Sequence, residues 1–279
     1  MTKPLPAFLL LLFLAACGHA DFVTFPSARL SAAAVIQPTV SGYLMKPDGN
    51  GRFPAVVLLH GCGGIVEQEL AWRQWLRDRG FVSLSVDSFT PRGVSSICGQ
   101  PGLVDVTARI TDAFGGLDYL AAQPFVDRSR IAVMGFSNGG LVTLSIVASP
   151  SWISRPAGSP QFGSAITLYP ECQRHGSQDE APPTMPLLIL VGALDDWTPA
   201  ASCQRLADRY AGRGSPITLI VLPGARHAFD VVGLPVTSLP MAVNINSPTG
   251  MGATIGGNGP AAERAKEAVA AFLAKTLKP

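Results

Sequence analysis

A serine, an aspartate and a histidine, each just beyond an apolar run, are the residues of this chain best placed to do chemistry together. Ser137 sits in Gly135-Phe136-Ser137-Asn138-Gly139, between apolar runs at 131–134 and 141–148. That pattern predicts a strand that turns straight into a helix with the serine at the corner. So tight a turn forces unfavourable backbone on the serine and leaves room only for small residues two positions to either side, here Gly135 and Gly139. It lifts the hydroxyl clear of the sheet and aims the first amides of the helix at whatever the serine attacks. A glycine-flanked serine is weak on its own, because a serine N-cap between an ordinary strand and helix has the same appearance.

The partners come later in the chain. The run 188–191 ends in Gly192-Ala193-Leu194-Asp195-Asp196-Trp197-Thr198-Pro199. A Gly-x-x-Asp-x-x-x-Pro spacing selects Asp195 as the carboxylate and leaves Asp196 to cap the helix that starts near Pro199. The run 219–222 is followed by Pro223-Gly224-Ala225-Arg226-His227. Of the four histidines, His19 lies near the N-terminus, His60 abuts a glycine-rich loop and His175 sits in a polar loop; His227 is the one placed after a late strand. Asp230 reads as a helix cap or a surface charge. Serine, acid and histidine in that order, each at a strand's end, supply what acyl transfer needs. The imidazole takes the serine's proton, and the carboxylate fixes its tautomer and stabilises its charged form. An oxyanion then needs donors. The Asn138 amide is one candidate, and the Cys62 amide in His60-Gly61-Cys62-Gly63-Gly64 is the other. No Gly-Lys-Ser/Thr follows those glycines, so a phosphate cradle is excluded.

These side chains need a scaffold that ends several buried strands on one side. Runs without a polar face, such as 55–59 and 188–191, belong to parallel strands covered by helices on both faces. Strands are expected at 40–45, 55–59, 81–86, 131–134, 164–168, 186–191 and 217–222. Helices are expected at 69–79, 106–121, 200–211 and 261–277, with Gly115 and Gly116 weakening the second. The turn-rich tract 46–51 reads as a hairpin loop, and 149–162 and 234–260 read as surface loops. The alternation implies one doubly wound, mostly parallel sheet in a single domain, with its reactive loops at the carboxyl ends of the strands.

The chain has 279 residues, 47% hydrophobic and 14% charged, with a net charge of +2. That suits one large core and argues against disorder or a coiled coil. No basic cluster stands out, which argues against nucleic acid as a partner. Residues 1–20 read as an export leader: Lys3 precedes a short apolar stretch at 5–16, too short to span a bilayer comfortably. Two cleavage readings stand side by side. Leu14-Ala15-Ala16-Cys17 resembles a lipobox that would make Cys17 a lipidated N-terminus, and Gly18-His19-Ala20 suits ordinary cleavage before Asp21. A lipid at Cys17 would be the one link to a membrane. The catalytic domain is then 21–279. Four further cysteines remain, an even number suited to disulfides in an exported chain. Of three possible pairings, Cys62–Cys98 and Cys172–Cys203 each tie a loop after one strand to an element near the next. None of the four has the short spacing of a zinc knuckle, and neither metal nor cofactor is expected.

The stretches 56–64, 130–140, 192–199 and 224–229 together resemble the dienelactone hydrolase family of α/β-hydrolases. The resemblance spans most of 40–275. It implies an α/β-hydrolase fold and cleavage of carboxylic esters or lactones, small-molecule substrates, through Ser137, Asp195 and His227. Two positions depart from the family's archetype, which has a cysteine nucleophile where this chain has Ser137 and a glutamate where it has Gly61. The resemblance therefore implies an exported serine esterase with its substrate open. Arg92, in the loop after the 81–86 strand, is a candidate for a substrate carboxylate. A secreted peptidase on the same fold, or a catalytically silent binding protein, are the alternatives.

Overall fold

The computed structural model describes residues 20–30, 38–148, 153–175, 182–183 and 185–278. The expected leader, with Cys17, falls outside these residues, as does part of the loop expected at 149–162. Eight strands make one sheet: β1 (Asp21–Pro26), β2 (Thr39–Met45), β3 (Phe53–Leu59), β4 (Val82–Asp87), β5 (Val126–Phe136), β6 (Ser164–Leu168), β7 (Leu187–Gly192) and β8 (Ile217–Leu222). Their spatial order is β1-β2-β4-β3-β5-β6-β7-β8. The strands from β4 onward in that order run parallel, and β1 and β2 add an antiparallel edge.

The apolar runs dictate this arrangement. Residues Ala55 to Leu59 are all buried, so β3 must be covered on both faces and lies inside the sheet. One face carries α1 (Glu67–Arg77) and α5 (Gly259–Thr276), whose Trp72, Leu76, Ala265 and Val269 pack on Val56, Met134 and Leu190. The other carries α2 (Val106–Ala121), α3 (Asn138–Val147) and α4 (Ala200–Ala211), whose Ile110, Leu117, Val142 and Leu206 pack on Val57, Val133 and Ile189. The expected doubly wound sheet in one domain is therefore the observed architecture of the described residues.

Three local expectations are corrected. The 46–51 tract does not close a hairpin: β2 pairs with β1 and β4, and β4 lies between β2 and β3. The wholly apolar β3 is set between two parallel neighbours, β4 and β5, and β2 pairs on the far edge of β4. Second, 234–260 is not plain loop. It holds an antiparallel hairpin, β9 (Thr237–Val243) and β10 (Met251–Ile255). Its residues are largely exposed, with Pro240 inside a strand, so no alternating apolar pattern announced it. Third, Gly115 and Gly116 do not weaken α2 in this setting. A Cβ on Gly115 would lie 2.4 Å from the Pro26 carbonyl oxygen, and one on Gly116 would lie 2.9 Å from the Val86 side chain. The glycines let the helix seat on the sheet.

Glu69 on α1 is buried and accepts a hydrogen bond from the Val66 amide at 2.9 Å. Burial, aided by the nearby Asp230, raises its pKa from 4.5 to about 7. The folded chain therefore keeps a proton that the unfolded chain releases above pH 4.5, and stability falls as pH rises through that window to about 7. Glu69→Gln is expected to stabilise the protein at pH 8 by about 2 kcal/mol and to leave it nearly unchanged at pH 5. Urea denaturation at the two pH values reads this; equal effects at both would contradict it.

Candidate active site

The strand-to-helix corner sets Ser137 at φ 52°, ψ −114°, between β5 and α3. The glycines on either side are sterically required. A Cβ on Gly135 would fall 2.1 Å from the Gly139 carbonyl oxygen, and one on Gly139 would fall 2.0 Å from that of Leu59. The Ser137 amide donates to the Leu168 carbonyl at 3.0 Å, which ties the corner to β6.

His227 follows β8 and is 3% exposed. Its Nε2 lies 2.9 Å from Ser137 Oγ and its Nδ1 lies 2.9 Å from Asp195 Oδ2. With a carboxylate facing Nδ1, the proton sits there and Nε2 is left to accept from the serine. The structure thus brings Ser137, His227 and Asp195 together. Asp195 is held in turn: its Oδ1 accepts from the amides of Trp197 and Thr198 at 2.9 and 2.8 Å. Thr198 Oγ1 lies 3.0 Å from Asp195 Oδ2 and 3.1 Å from both His227 Nδ1 and the Tyr169 carbonyl oxygen. Asp196 is not the cap of α4. Its side chain accepts from the Thr254 amide, and its carbonyl accepts from Asn244 Nδ2, so it anchors the β9–β10 hairpin.

The hairpin also reaches His227. Gly256 donates its amide to the His227 carbonyl at 3.0 Å, and Trp197 Nε1 donates to the Val243 carbonyl at 2.9 Å. Tyr169, directly after β6, presents its ring to His227 with centroids 4.6 Å apart. Asp230 is neither a helix cap nor a surface charge. It is buried and accepts hydrogen bonds from Tyr169 Oη at 2.7 Å, Trp72 Nε1 at 2.7 Å and Gln68 Nε2. It thereby fixes the tyrosine that backs the histidine.

Both expected disulfides are present, Cys62–Cys98 and Cys172–Cys203. They fit a chain that matures in an oxidising compartment outside the cytoplasm. An open cleft lies over Ser137, walled by Cys62, Cys98, Asn138, Trp197 and Val243. The amides of Cys62 and Asn138 donate to no acceptor among the described residues, so both remain available to a ligand. Glu171 and Arg174 also line the cleft, and burial together with the Asp195 charge raises the Glu171 pKa.

Arg92 is engaged elsewhere. Its guanidinium makes a two-pronged pair with buried Asp112, at 2.8 and 3.0 Å, and donates to the Ser88 carbonyl. It is absent from the cleft wall, so the expectation of a substrate-carboxylate ligand at Arg92 is corrected: a fully buried carboxylate claims the cation. Thr198, Tyr169, Trp197, Glu171 and Arg174 were not singled out beforehand. Thr198 and Trp197 lie in the same octapeptide as Asp195, and their roles follow from backbone geometry that no spacing encodes.

The sequence profile of the dienelactone hydrolase family matches residues 40–277. The chain belongs to the dienelactone hydrolase family. By that membership it is a hydrolase of carboxylic esters or lactones with an α/β-hydrolase fold. A Methylorubrum extorquens protein named as a candidate carboxymethylenebutenolidase is 24% identical over 205 residues, covering 68% of each chain. A Bradyrhizobium protein named as a candidate 2-oxo-3-(5-oxofuran-2-ylidene)propanoate lactonase is 24% identical over 67% of this chain and 77% of its own. Acylamino-acid-releasing enzyme 2 of Oryza sativa is 23% identical, but the match spans only 32% of that longer protein. Among solved structures, a dienelactone hydrolase-like promiscuous phosphotriesterase from metagenomic libraries superposes with a TM-score of 0.66 at 19% identity, covering 93% of this chain and 99% of its own. A propionate-bound esterase of Thermogutta terrifontis gives 0.63 at 20%, covering 94% and 96%. At such identities the structural likeness carries the fold.

Asp230→Ala removes the acceptor of two buried donors, on Tyr169 and Trp72, and of the half-buried Gln68. The expected cost is about 3 kcal/mol or more in unfolding free energy. Chemical denaturation measures it, and a loss below about 1 kcal/mol would mean that those donors are not dependent on Asp230.

Proposed function

We propose that this member of the family is a serine hydrolase that cleaves small carboxylic esters or lactones through an acyl-serine intermediate, without metal or cofactor. The observation that carries this reading is the continuous chain from Ser137 Oγ to His227 Nε2 and from His227 Nδ1 to Asp195 Oδ2, each link 2.9 Å. Ser137 attacks the carbonyl carbon while His227 takes its proton. The carbonyl oxygen becomes an oxyanion that accepts from the amides of Cys62 and Asn138. His227 then returns the proton to the leaving alkoxide, which departs and leaves the acyl group on Ser137. For a lactone the same step opens the ring and the product stays attached until deacylation. Water, deprotonated by His227, frees the acid and restores the serine.

Several features support the finer points. The amides of Trp197 and Thr198, the Thr198 hydroxyl and His227 Nδ1 surround the two Asp195 oxygens, so the carboxyl group is held in place facing Nδ1. The disulfides and the sequence of residues 1–20 support an exported protein, periplasmic, secreted or lipid-anchored through Cys17. A free cysteine nucleophile is not in play, since the cleft's two cysteines are joined to each other. The peptidase alternative has one observation behind it, the partial similarity to the rice acylamino-acid-releasing enzyme. Side-by-side assays of one preparation on p-nitrophenyl esters and on N-acyl peptides separate the two readings.

Ser137→Ala is expected to lower kcat on p-nitrophenyl acetate by about 10⁴-fold or more, with folding unchanged by circular dichroism. A folded Ser137→Ala protein that keeps most of the wild-type rate would overturn the assignment.

A further inference from the structure

The two amides proposed to hold the oxyanion come from separate parts of the chain. Cys62 lies in the loop after β3, and Asn138 opens α3. A useful oxyanion hole needs a fixed distance between them. Arg109, on α2, reaches both segments. One Nη donates to the Asn138 side-chain oxygen. The other donates to the His60 carbonyl at 2.7 Å, two residues before Cys62. That carbonyl is packed against the start of α3, since a Cβ on Gly139 would lie 2.6 Å from it.

Arg109 is an unusual residue to find there. It is 1% exposed, and its Nε has no partner among the described residues. The acceptors of its hydrogen bonds are neutral oxygens, not carboxylates. Its guanidinium also lies over the Phe89 ring at 5.1 Å. Burial lowers its pKa to about 10, so it remains charged at neutral pH. A buried cation without a carboxylate in direct contact is costly, and a purely structural link would be made more cheaply by a neutral side chain. His60 contributes no charge: burial and Arg109 lower its pKa, its Nδ1 faces the Gly61 carbonyl at 2.8 Å, and its Nε2 accepts from the Ser88 amide.

We propose that Arg109 is the positioning residue of the oxyanion hole. One guanidinium fixes the Cys62 loop against the start of α3 and presents its positive charge, from inside the protein, to the oxyanion that develops between the two amides. The negative charge exists only once the serine has attacked, so Arg109 acts on the transition state more than on bound substrate. This rests on the serine-hydrolase reading above.

The test is a kinetic comparison on p-nitrophenyl acetate, with thermal unfolding as the folding control. Arg109→Met is expected to lower kcat by about 10²-fold with KM within about 3-fold. Arg109→Lys keeps the charge without the two-pronged grip and is expected to stay within about 10-fold of wild type. Affinity for a trifluoromethyl ketone, which forms an oxyanion on Ser137, should fall in parallel with kcat/KM in both variants. A folded Arg109→Met with unchanged kcat, or with KM raised and kcat kept, would overturn the proposal. Should that variant not fold, Asn138→Ala provides the second reading, because it keeps the backbone amide and removes the acceptor of Arg109. It is expected to lower kcat by about 10-fold in wild type and by under about 2-fold in the Arg109→Lys background; additive losses would overturn the link. Labelling of the wild-type protein by a fluorophosphonate separates the two levels. No adduct at Ser137 removes the serine-hydrolase reading itself, whereas an adduct with a kcat indifferent to Arg109 removes this inference alone.

Discussion

The site depends on one strained residue, Ser137, held at positive φ by the structure around it. A non-glycine residue in such a conformation costs on the order of 1–3 kcal/mol. The strain persists because its surroundings allow no alternative. β5 is paired on both sides, with β3 and β6, and α3 is buried almost throughout. Gly139 lies so close to the Leu59 carbonyl that the helix cannot be relaxed by a shift toward β3. The same contact brings the start of α3 against the loop that carries Cys62. One steric requirement thus fixes the hydroxyl and brings both candidate oxyanion donors to it.

Asp195 and His227 have no such core support, because they lie on loops beyond the ends of β7 and β8. Polar bonds replace apolar packing there. Thr198 lies between the Asp195 carboxylate and the Tyr169 carbonyl, and the Tyr169 ring backs His227 while its hydroxyl is held by Asp230. The β9–β10 hairpin then spans the two loops, bonding Asp196 on one and the His227 carbonyl on the other. Apart from the exposed Asp196, each of these groups is buried, so a lost partner is expensive and the geometry is strongly specified.

The legible part of this molecule is the part with a period or a steric rule. The sheet and its covering helices were readable because β3 and β7 are unbroken apolar runs, and those have one stable setting in a domain of this size. Ser137 was readable because its corner permits only glycine at 135 and 139. His227 and Asp195 followed from chain order at strand ends. What lacked a periodic signal was missed. The hairpin is exposed and held by hydrogen bonds, so its sequence resembles loop. Asp230 has the composition of a surface residue, and its burial is set by three donors that come from 61 to 162 positions away. Arg92 and Arg109 illustrate the same limit. Neither lines the cleft: Asp112 claims one and neutral oxygens claim the other, a division set by tertiary contacts that no spacing encodes.

The walls of the cleft explain why this fold needs two cross-links. Cys62, Cys98, Trp197 and Val243 come from three loops and the end of β9, and the apolar cluster beneath them is small, Phe89, Ile97 and Val104. A loop without a core loses order readily, since nothing offsets the conformational entropy of its backbone. Each disulfide removes part of that entropy by tying a cleft loop to a second element, Cys62 to the loop at 98 and Cys172 to α4. The Val243 amide then donates to the Cys98 carbonyl at 2.9 Å, so the hairpin is seated on a residue that the disulfide has already fixed. Ser137, Asp195 and His227 are thereby fixed by the sheet and its polar braces, whereas the walls of the cleft are fixed by cross-links. Side chains on those walls, such as Ile245 and Arg174, can change without disturbing either system. A scaffold divided in this way can retain one carbonyl chemistry while its choice of ester or lactone drifts.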